Sequence, residues 1–157
     1  MADEGKAVVR AVRGSAQYSA GKKWRPLKKE QILKVGDKVR VDANSQVDIF
    51  LAKNGSVVRV TELTTLEIER LTVATDGTNS VTETQLSLPS GRIMGHIYRP
   101  VTNSFYRVRI PLGVVQLPGG EFDLTASGRL QLISGSYAAT VTLTNGQVTF
   151  FKPYLGD

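Results

Sequence analysis

Apolar and polar residues alternate with a period of two along most of this chain, and no window shows the period of an amphipathic helix. Residues 47–51 and 66–69 show the alternation most clearly. Turn signals such as Gly36-Asp37 and Asn54-Gly55 separate the alternating segments about every ten residues. Because this pattern is typical of short strands with one buried face, the sequence predicts an all-β protein.

About a dozen short strands follow from the pattern. We expect them at residues 7–12, 38–41, 47–51, 57–60, 66–69, 82–88, 92–94, 105–110, 114–117, 121–124, 130–133, 139–143 and 148–151. Asn54-Gly55 and Asn145-Gly146 favour type I′ hairpin turns, which need two residues with positive φ. Asp76-Gly77-Thr78-Asn79 predicts an exposed turn, and residues 28–33 are the only segment in which we expect a helical turn.

The length of 157 residues and the composition favour one folded domain. Hydrophobic residues make up 41% of the chain and charged residues 22%, which excludes a disordered tail. A chain of this length can bury a sufficient core without disulfides or metals. No Pro/Ser-rich linker divides it, so we expect a single domain over residues 7–152, with flexible termini at 1–6 and 153–157.

Cysteine is absent, which excludes disulfides, thiolate metal sites and cysteine nucleophiles. No apolar run approaches the roughly 20 residues that a membrane-spanning helix needs, so we do not expect the given chain to cross a membrane. The N-terminal residues also lack the apolar stretch of a signal peptide. If the protein is exported, we expect that its signal peptide has been removed from this sequence.

Positive charge is concentrated near the N-terminus. Residues 1–41 contain eleven Lys or Arg and four acids, whereas residues 42–157 contain nine and ten, within a net charge of +6. The basic side chains are Lys22, Lys23, Arg25, Lys28, Lys29, Lys34, Lys38 and Arg40. Such a cluster could bind an anionic polymer, or it could be a solvated edge that prevents strand addition.

Aromatic residues next to basic ones define a candidate binding patch. Its members are Lys22, Lys23, Trp24, Arg25, Lys28, Lys29, Tyr98, Arg99, Tyr106 and Arg107. Too few aromatics lie among the lysines for base stacking, so no specific nucleic acid is expected. Trp24 could contact a sugar or a partner, although we favour packing in or near the core.

Catalytic chemistry has little support in the sequence. His96 is the only histidine and is most simply a partly exposed strand residue, since no nucleophile motif accompanies it. Glu121 and Asp123 share one strand face, and Glu67 and Glu69 share another, as solvated acids commonly do. We therefore predict a protein that is not an enzyme and has no catalytic residues, cofactor site or metal site.

An ordered series of turns and aliphatic residues resembles the FecR domain family over roughly residues 7–151. The resemblance rests on Gly14-Ser15-Ala16, Trp24-Arg25-Pro26-Leu27, residues 33–40, Asn54-Gly55-Ser56, residues 86–93, residues 111–122 and the closing residues Val141, Leu143, Gly146 and Val148. It implies a twisted, β-solenoid-like stack of short strands, and a β-sandwich is the alternative. The family often has Val-Arg-Gly-Thr-Glu-Phe where this chain has Leu117-Pro118-Gly119-Gly120-Glu121-Phe122, so any role of that Arg is in doubt.

The resemblance implies a bacterial envelope or secreted module that takes part in signal sensing, periplasmic or extracellular in location. Members of the family relay signals through a membrane helix and a cytoplasmic segment that are missing from this sequence. We therefore expect a non-catalytic module that binds an envelope protein or an anionic glycan. The alternative is a structural envelope protein that assembles into homo-oligomers through exposed strand edges.

Overall fold

Two β-sheets enclose one hydrophobic core in this protein. The computed structural model describes residues 2–51, 56–76, 79–97, 104–117, 119–133 and 139–151, and these contain strands and turns but no helix. The all-β prediction is therefore confirmed, and the β-sandwich alternative fits the two sheets.

Seventeen strands occur in the described ranges. They are β1 (Ala2–Glu4), β2 (Ala7–Arg13), β3 (Ala16–Ser19), β4 (Trp24–Pro26), β5 (Ile32–Leu33), β6 (Lys38–Val41), β7 (Gln46–Leu51), β8 (Ser56–Val60), β9 (Thr64–Asp76), β10 (Asn79–Ser90), β11 (Arg92–Ile97), β12 (Phe105–Ile110), β13 (Gly113–Leu117), β14 (Gly120–Thr125), β15 (Leu130–Leu132), β16 (Ala139–Leu143) and β17 (Val148–Phe151).

The larger sheet has ten strands in the order β17-β16-β13-β12-β10-β9-β6-β3-β4, and β1 pairs with β9 outside this path. The smaller sheet has seven strands in the order β15-β14-β11-β8-β7-β2-β5. Neighbouring strands are antiparallel except β10 and β12, which run parallel. The chain crosses between the sheets repeatedly, so strands close in sequence are often in different sheets.

Two tight corners carry the chain from one sheet to the other. Gly14 and Gly91 have φ values of +81° and +95°, which glycine adopts at little cost. After each glycine a backbone N–H donates to a buried hydroxyl: Ser15 N to Ser45 Oγ at 2.9 Å, and Arg92 N to Thr64 Oγ1 at 3.0 Å. These bonds fix both corners and keep their polar groups satisfied.

The core follows directly from the alternation. In β7 the buried residues are Val47, Ile49 and Leu51, and Asp48 between them faces outwards. Across the core, the rings of Tyr106 on β12 and Phe122 on β14 meet edge to face with centroids 5.7 Å apart. Because each buried aliphatic side chain stabilises the fold by about 1.5–3 kcal/mol, this core is the main source of stability.

Two local predictions differ from the structure. Residues 28–33 form a turn and the short strand β5 instead of a helical turn. Asn145 lacks the positive φ of a type I′ turn; Leu143 N instead donates to Gln147 O, across a loop in which Gly146 has a φ of +88°. Residues 2–4 form β1, which pairs with β9.

Three regions bearing other expectations lie outside the described residues. They are the turn at Asn54-Gly55, the central Gly77-Thr78 of the turn between β9 and β10, and residues 153–157 at the C-terminus. The strands on either side of the two turns do pair as hairpins, β7 with β8 and β9 with β10.

Replacing Tyr106 by phenylalanine should raise the free energy of unfolding by about 1 kcal/mol, because the buried hydroxyl has no hydrogen-bond partner among the described residues. Burial also raises the pKa of Tyr106 above its ordinary value of 10.0. The folded state therefore holds the phenol proton more tightly than the unfolded state does. The stability that this difference contributes is complete below pH 10 and is lost as the pH rises further.

Urea unfolding of wild type and Tyr106→Phe between neutral and alkaline pH measures both effects. The variant should lose less stability above pH 10 than wild type. Tyr18→Phe, which alters a half-buried tyrosine on β3, is the matched control and should keep the wild-type alkaline loss. If Tyr106→Phe and wild type lost the same stability above pH 10, the buried Tyr106 phenol would not be the cause of the alkaline loss.

Candidate functional site: a basic edge

The N-terminal cations lie together along one side of the sandwich, where β4 ends the larger sheet and β5 ends the smaller one. Lysines occupy the β3–β4 turn, the segment that joins β4 to β5, and the turn that leads into β6. We call this surface the basic edge. Its members are Lys22, Lys23, Arg25, Lys28, Lys29, Lys34, Lys38 and Arg40, all of them exposed.

The basic edge combines eight cations with few acids, of which Asp42 is close enough for Arg40 to lower its pKa. No described carboxylate lies within ion-pair distance of any of its eight members. Elsewhere, Arg59 pairs with Asp48 at 2.8 Å, Arg70 with Glu83 at 2.8 Å, and Arg92 with Asp123. These arginines are neutralised locally, whereas the cations of the basic edge leave a net positive potential along it.

Trp24 lies within the basic edge. Its side chain is 38% exposed on β4, so it lies at the surface, whereas we favoured packing in or near the core. The Arg40 guanidinium lies over the indole ring at 4.2 Å from its centroid. This cation–π contact orients both side chains at the surface.

Gln17, on β3 between Trp24 and Arg40, helps to hold this arrangement. Its amide nitrogen donates to Asp42 at 2.8 Å, and its amide oxygen accepts from Arg40 Nε at 3.2 Å. The hydrogen bond from Gln17 also lowers the pKa of Asp42, which favours the ionised acceptor. The contribution of Gln17 could not be found from sequence spacing, because it depends on the pairing of β3 with β6.

The structure divides the predicted binding patch. Lys22, Lys23, Trp24, Arg25, Lys28 and Lys29 belong to one surface, the basic edge. Tyr106 is only 4% exposed and packs in the core, so it cannot contact a partner. Arg107 lies five strands from β4, about 24 Å away. Tyr98 and Arg99 lie outside the described residues.

The outer face of the smaller sheet carries the residues weighed for catalysis. His96 Nδ1 lies 3.5 Å from Glu121 Oε1, in a shallow groove of about 350 Å³ that Met94 and Ile133 also line. Asp123, on the same strand as Glu121, accepts two hydrogen bonds from Arg92. Asp123 thus pairs with Arg92, and Glu121 with the His96 imidazole, each across two neighbouring strands as polar side chains of antiparallel sheets commonly do.

The acids of the larger sheet show the same arrangement. Glu69 accepts a hydrogen bond from Gln85, and its Oε1 lies 3.3 Å from Arg109 Nε. Glu83 accepts from Arg70 and Thr72, and the bond from Arg70 is the main cause of its lowered pKa. Over the ranges that can be searched, no three metal-ligating side chains converge and no helix could cross a membrane.

These observations first define a class: an all-β domain of two sheets, whose most distinctive surface is a cationic edge. A comparison with family models then gives a match to FecR protein over residues 37–149, most of the chain. The chain therefore belongs to the FecR family, whose members are signalling-related regulator modules. No significant match is found among curated proteins or among solved structures.

The matched region begins at Asp37, so most of the basic edge precedes it. The position at which the family often has Thr is Gly120, with a φ of +98°. A β-branched residue rarely adopts this conformation, so the corner before β14 takes a backbone path here that suits glycine.

Proposed function

We propose that this chain is a non-catalytic binding module of the bacterial envelope, periplasmic or secreted, in which the basic edge binds an acidic surface of a signalling partner protein. The observation that carries the proposal is the exposure on one side of the molecule of eight cations, none of which lies within ion-pair distance of a described carboxylate. Membership of a signalling family favours a protein partner over a glycan.

The chemistry of the basic edge suits such a partner. Lysine side chains on turns adapt to carboxylates at little strain, and they also accelerate encounter with an acidic surface. Trp24, with one ring face against Arg40, adds apolar area that a partner can cover. Tryptophan and arginine often contribute most of the affinity in protein interfaces.

Replacing Lys22 and Lys23 together by glutamine should weaken binding of a labelled glutamate-rich peptide by about 2- to 30-fold, since each of the two exposed ion pairs contributes about 0.2–1 kcal/mol. Fluorescence anisotropy at several salt concentrations measures the affinity, and wild-type binding should weaken as salt rises. Arg129→Glu is the matched control: it also lowers the net charge by two, and Arg129 lies exposed at the opposite side, in the β14–β15 turn.

The Arg129→Glu control decides whether the peptide binds at the basic edge or is attracted by overall charge. Arg129→Glu should bind like wild type if the peptide contacts the basic edge. Equal weakening by both changes would show attraction to overall charge, and the proposed site would be rejected. Binding of a sulfated glycan such as heparin, without binding of the peptide, would contradict the choice of a protein partner.

A screen for hydrolase activity tests the non-catalytic part of the proposal. Asp123 is held by Arg92 and Glu121 lies 3.5 Å from His96, an arrangement of ordinary cross-strand pairs, so we expect no turnover. Robust turnover that Glu121→Gln abolishes would overturn this part of the proposal.

A further inference from the structure

The last strand of the larger sheet, β17, presents a regular row of backbone groups away from its neighbour. Leu143 N donates to Gln147 O at 2.8 Å, so these two residues form a hydrogen-bonded pair of the β16–β17 ladder. Hydrogen-bonded and non-bonded pairs alternate in antiparallel sheets. The next pair, Thr142 with Val148, is therefore non-bonded, as is Thr140 with Phe150. The N–H and C=O groups of Val148 and Phe150 point away from β16.

The two edges of the larger sheet differ in how they meet an added strand. β4 contains Pro26, which has no N–H to donate, and it lies among the cations of the basic edge. These features block strand addition. In contrast, β17 contains no charged residue and no proline, and Val148 is 52% exposed.

We propose that β17 pairs with β17 of a second copy of this chain, antiparallel and centred on Thr149. In this register Val148 of each copy lies opposite Phe150 of the other. Because both residues direct their N–H and C=O groups outwards, the two pairs form four backbone hydrogen bonds. The contact is self-complementary, as a two-fold dimer requires.

The charge distribution favours this pairing over one through the basic edge. Each copy carries a net charge of +6, so like copies repel. β17 and β4 are eight strand spacings apart, about 38 Å, which far exceeds the Debye length of about 8 Å. A β17 dimer therefore holds its basic edges at opposite ends, where they do not repel. Both edges also stay open, so the dimer could bind a partner with two acidic sites.

Val148→Pro tests the pairing directly. The Val148 N–H points away from β16, so proline removes a donor to the second copy without removing a bond within the chain. Val148→Thr keeps the N–H and is the matched control. Sedimentation equilibrium over a range of concentrations should show wild type and Val148→Thr approaching twice the chain mass, and Val148→Pro remaining monomeric. A four-residue contact is small, so the dimer should dissociate on dilution.

A wild-type protein that stays monomeric at every concentration would overturn the proposal, as would a Val148→Pro dimer as stable as wild type. If Val148→Pro fails to fold, amide hydrogen exchange of the wild-type protein at several concentrations tests the pairing instead. The protection of the Val148 and Phe150 amides should rise with protein concentration. Protection that stays constant would contradict the pairing. The Lys22→Gln/Lys23→Gln variant should still dimerise, so this test is independent of the proposed function.

Discussion

Replacing Gly91 by alanine should lower the free energy of unfolding by about 3 kcal/mol, through backbone strain and a steric clash together. Gly91 has a φ of +95°, and a methyl group there would lie 2.5 Å from Thr64 Cα and 2.6 Å from Thr64 Cβ. The clash would displace the Thr64 hydroxyl that accepts the Arg92 N–H. This corner joins β10 to β11, so its distortion affects both sheets.

Gly36→Ala separates the two causes. Gly36 has a φ of +96°, nearly that of Gly91, but no atom lies within 4 Å of an added methyl group. The substitution should therefore cost only the strain, about 1 kcal/mol. Urea unfolding with equal m values gives both differences. Equal losses in the two variants would show that the contact with Thr64 contributes nothing.

Phe122→Ala should lower the free energy of unfolding by about 3–5 kcal/mol, as is usual when a buried aromatic ring is removed and its cavity does not fully close. Phe122 is 2% exposed, contacts the Tyr106 ring, and packs against Gly95, where an added methyl group would lie 2.5 Å from the ring. The Phe122 ring therefore occupies the space that a side chain at position 95 would need.

Phe50→Ala is the matched control for Phe122→Ala. Phe50 lies half-buried on the outer face of the smaller sheet, where the Arg10 guanidinium is 5.5 Å from its ring centroid. Its loss should cost about 1 kcal/mol or less. Thermal unfolding followed by circular dichroism should rank wild type, Phe50→Ala and Phe122→Ala in that order of stability. A Phe122→Ala variant as stable as Phe50→Ala would be inconsistent with the packing described here.

Local pattern predicted the strands well, because one buried face imposes strict alternation. The predicted limits of β6, β12, β16 and β17 agree with the structure. β4 was missed because all three of its residues are exposed, which leaves no alternation to detect. The sheet to which a strand belongs was not predictable either, since the pairs that define it, such as β6 with β9, join residues far apart in sequence.

The candidate site was predicted only in part, because local sequence shows which charges cluster but not which distant residues meet. Clustering of Lys and Arg within residues 22–40 located the basic edge, and the turns there keep these side chains at the surface. Tyr106 and Arg107 were grouped although adjacent strand residues point to opposite faces, a rule that separates them without any structure. The contact between Trp24 and Arg40 required the three-dimensional fold, because it crosses the intervening strand β3.

The parallel pairing of β10 with β12 has a consequence for how this protein folds. The strand between them, β11, belongs to the opposite sheet, so the chain must cross over and return before β10 and β12 can meet. The pairing of β10 with β12 must therefore close a loop that contains a strand of the smaller sheet, which couples the formation of the two sheets. Topologies dominated by such distant contacts fold on the millisecond-to-second scale. We expect slow refolding in which both sheets appear together, without a stage at which one sheet stands alone.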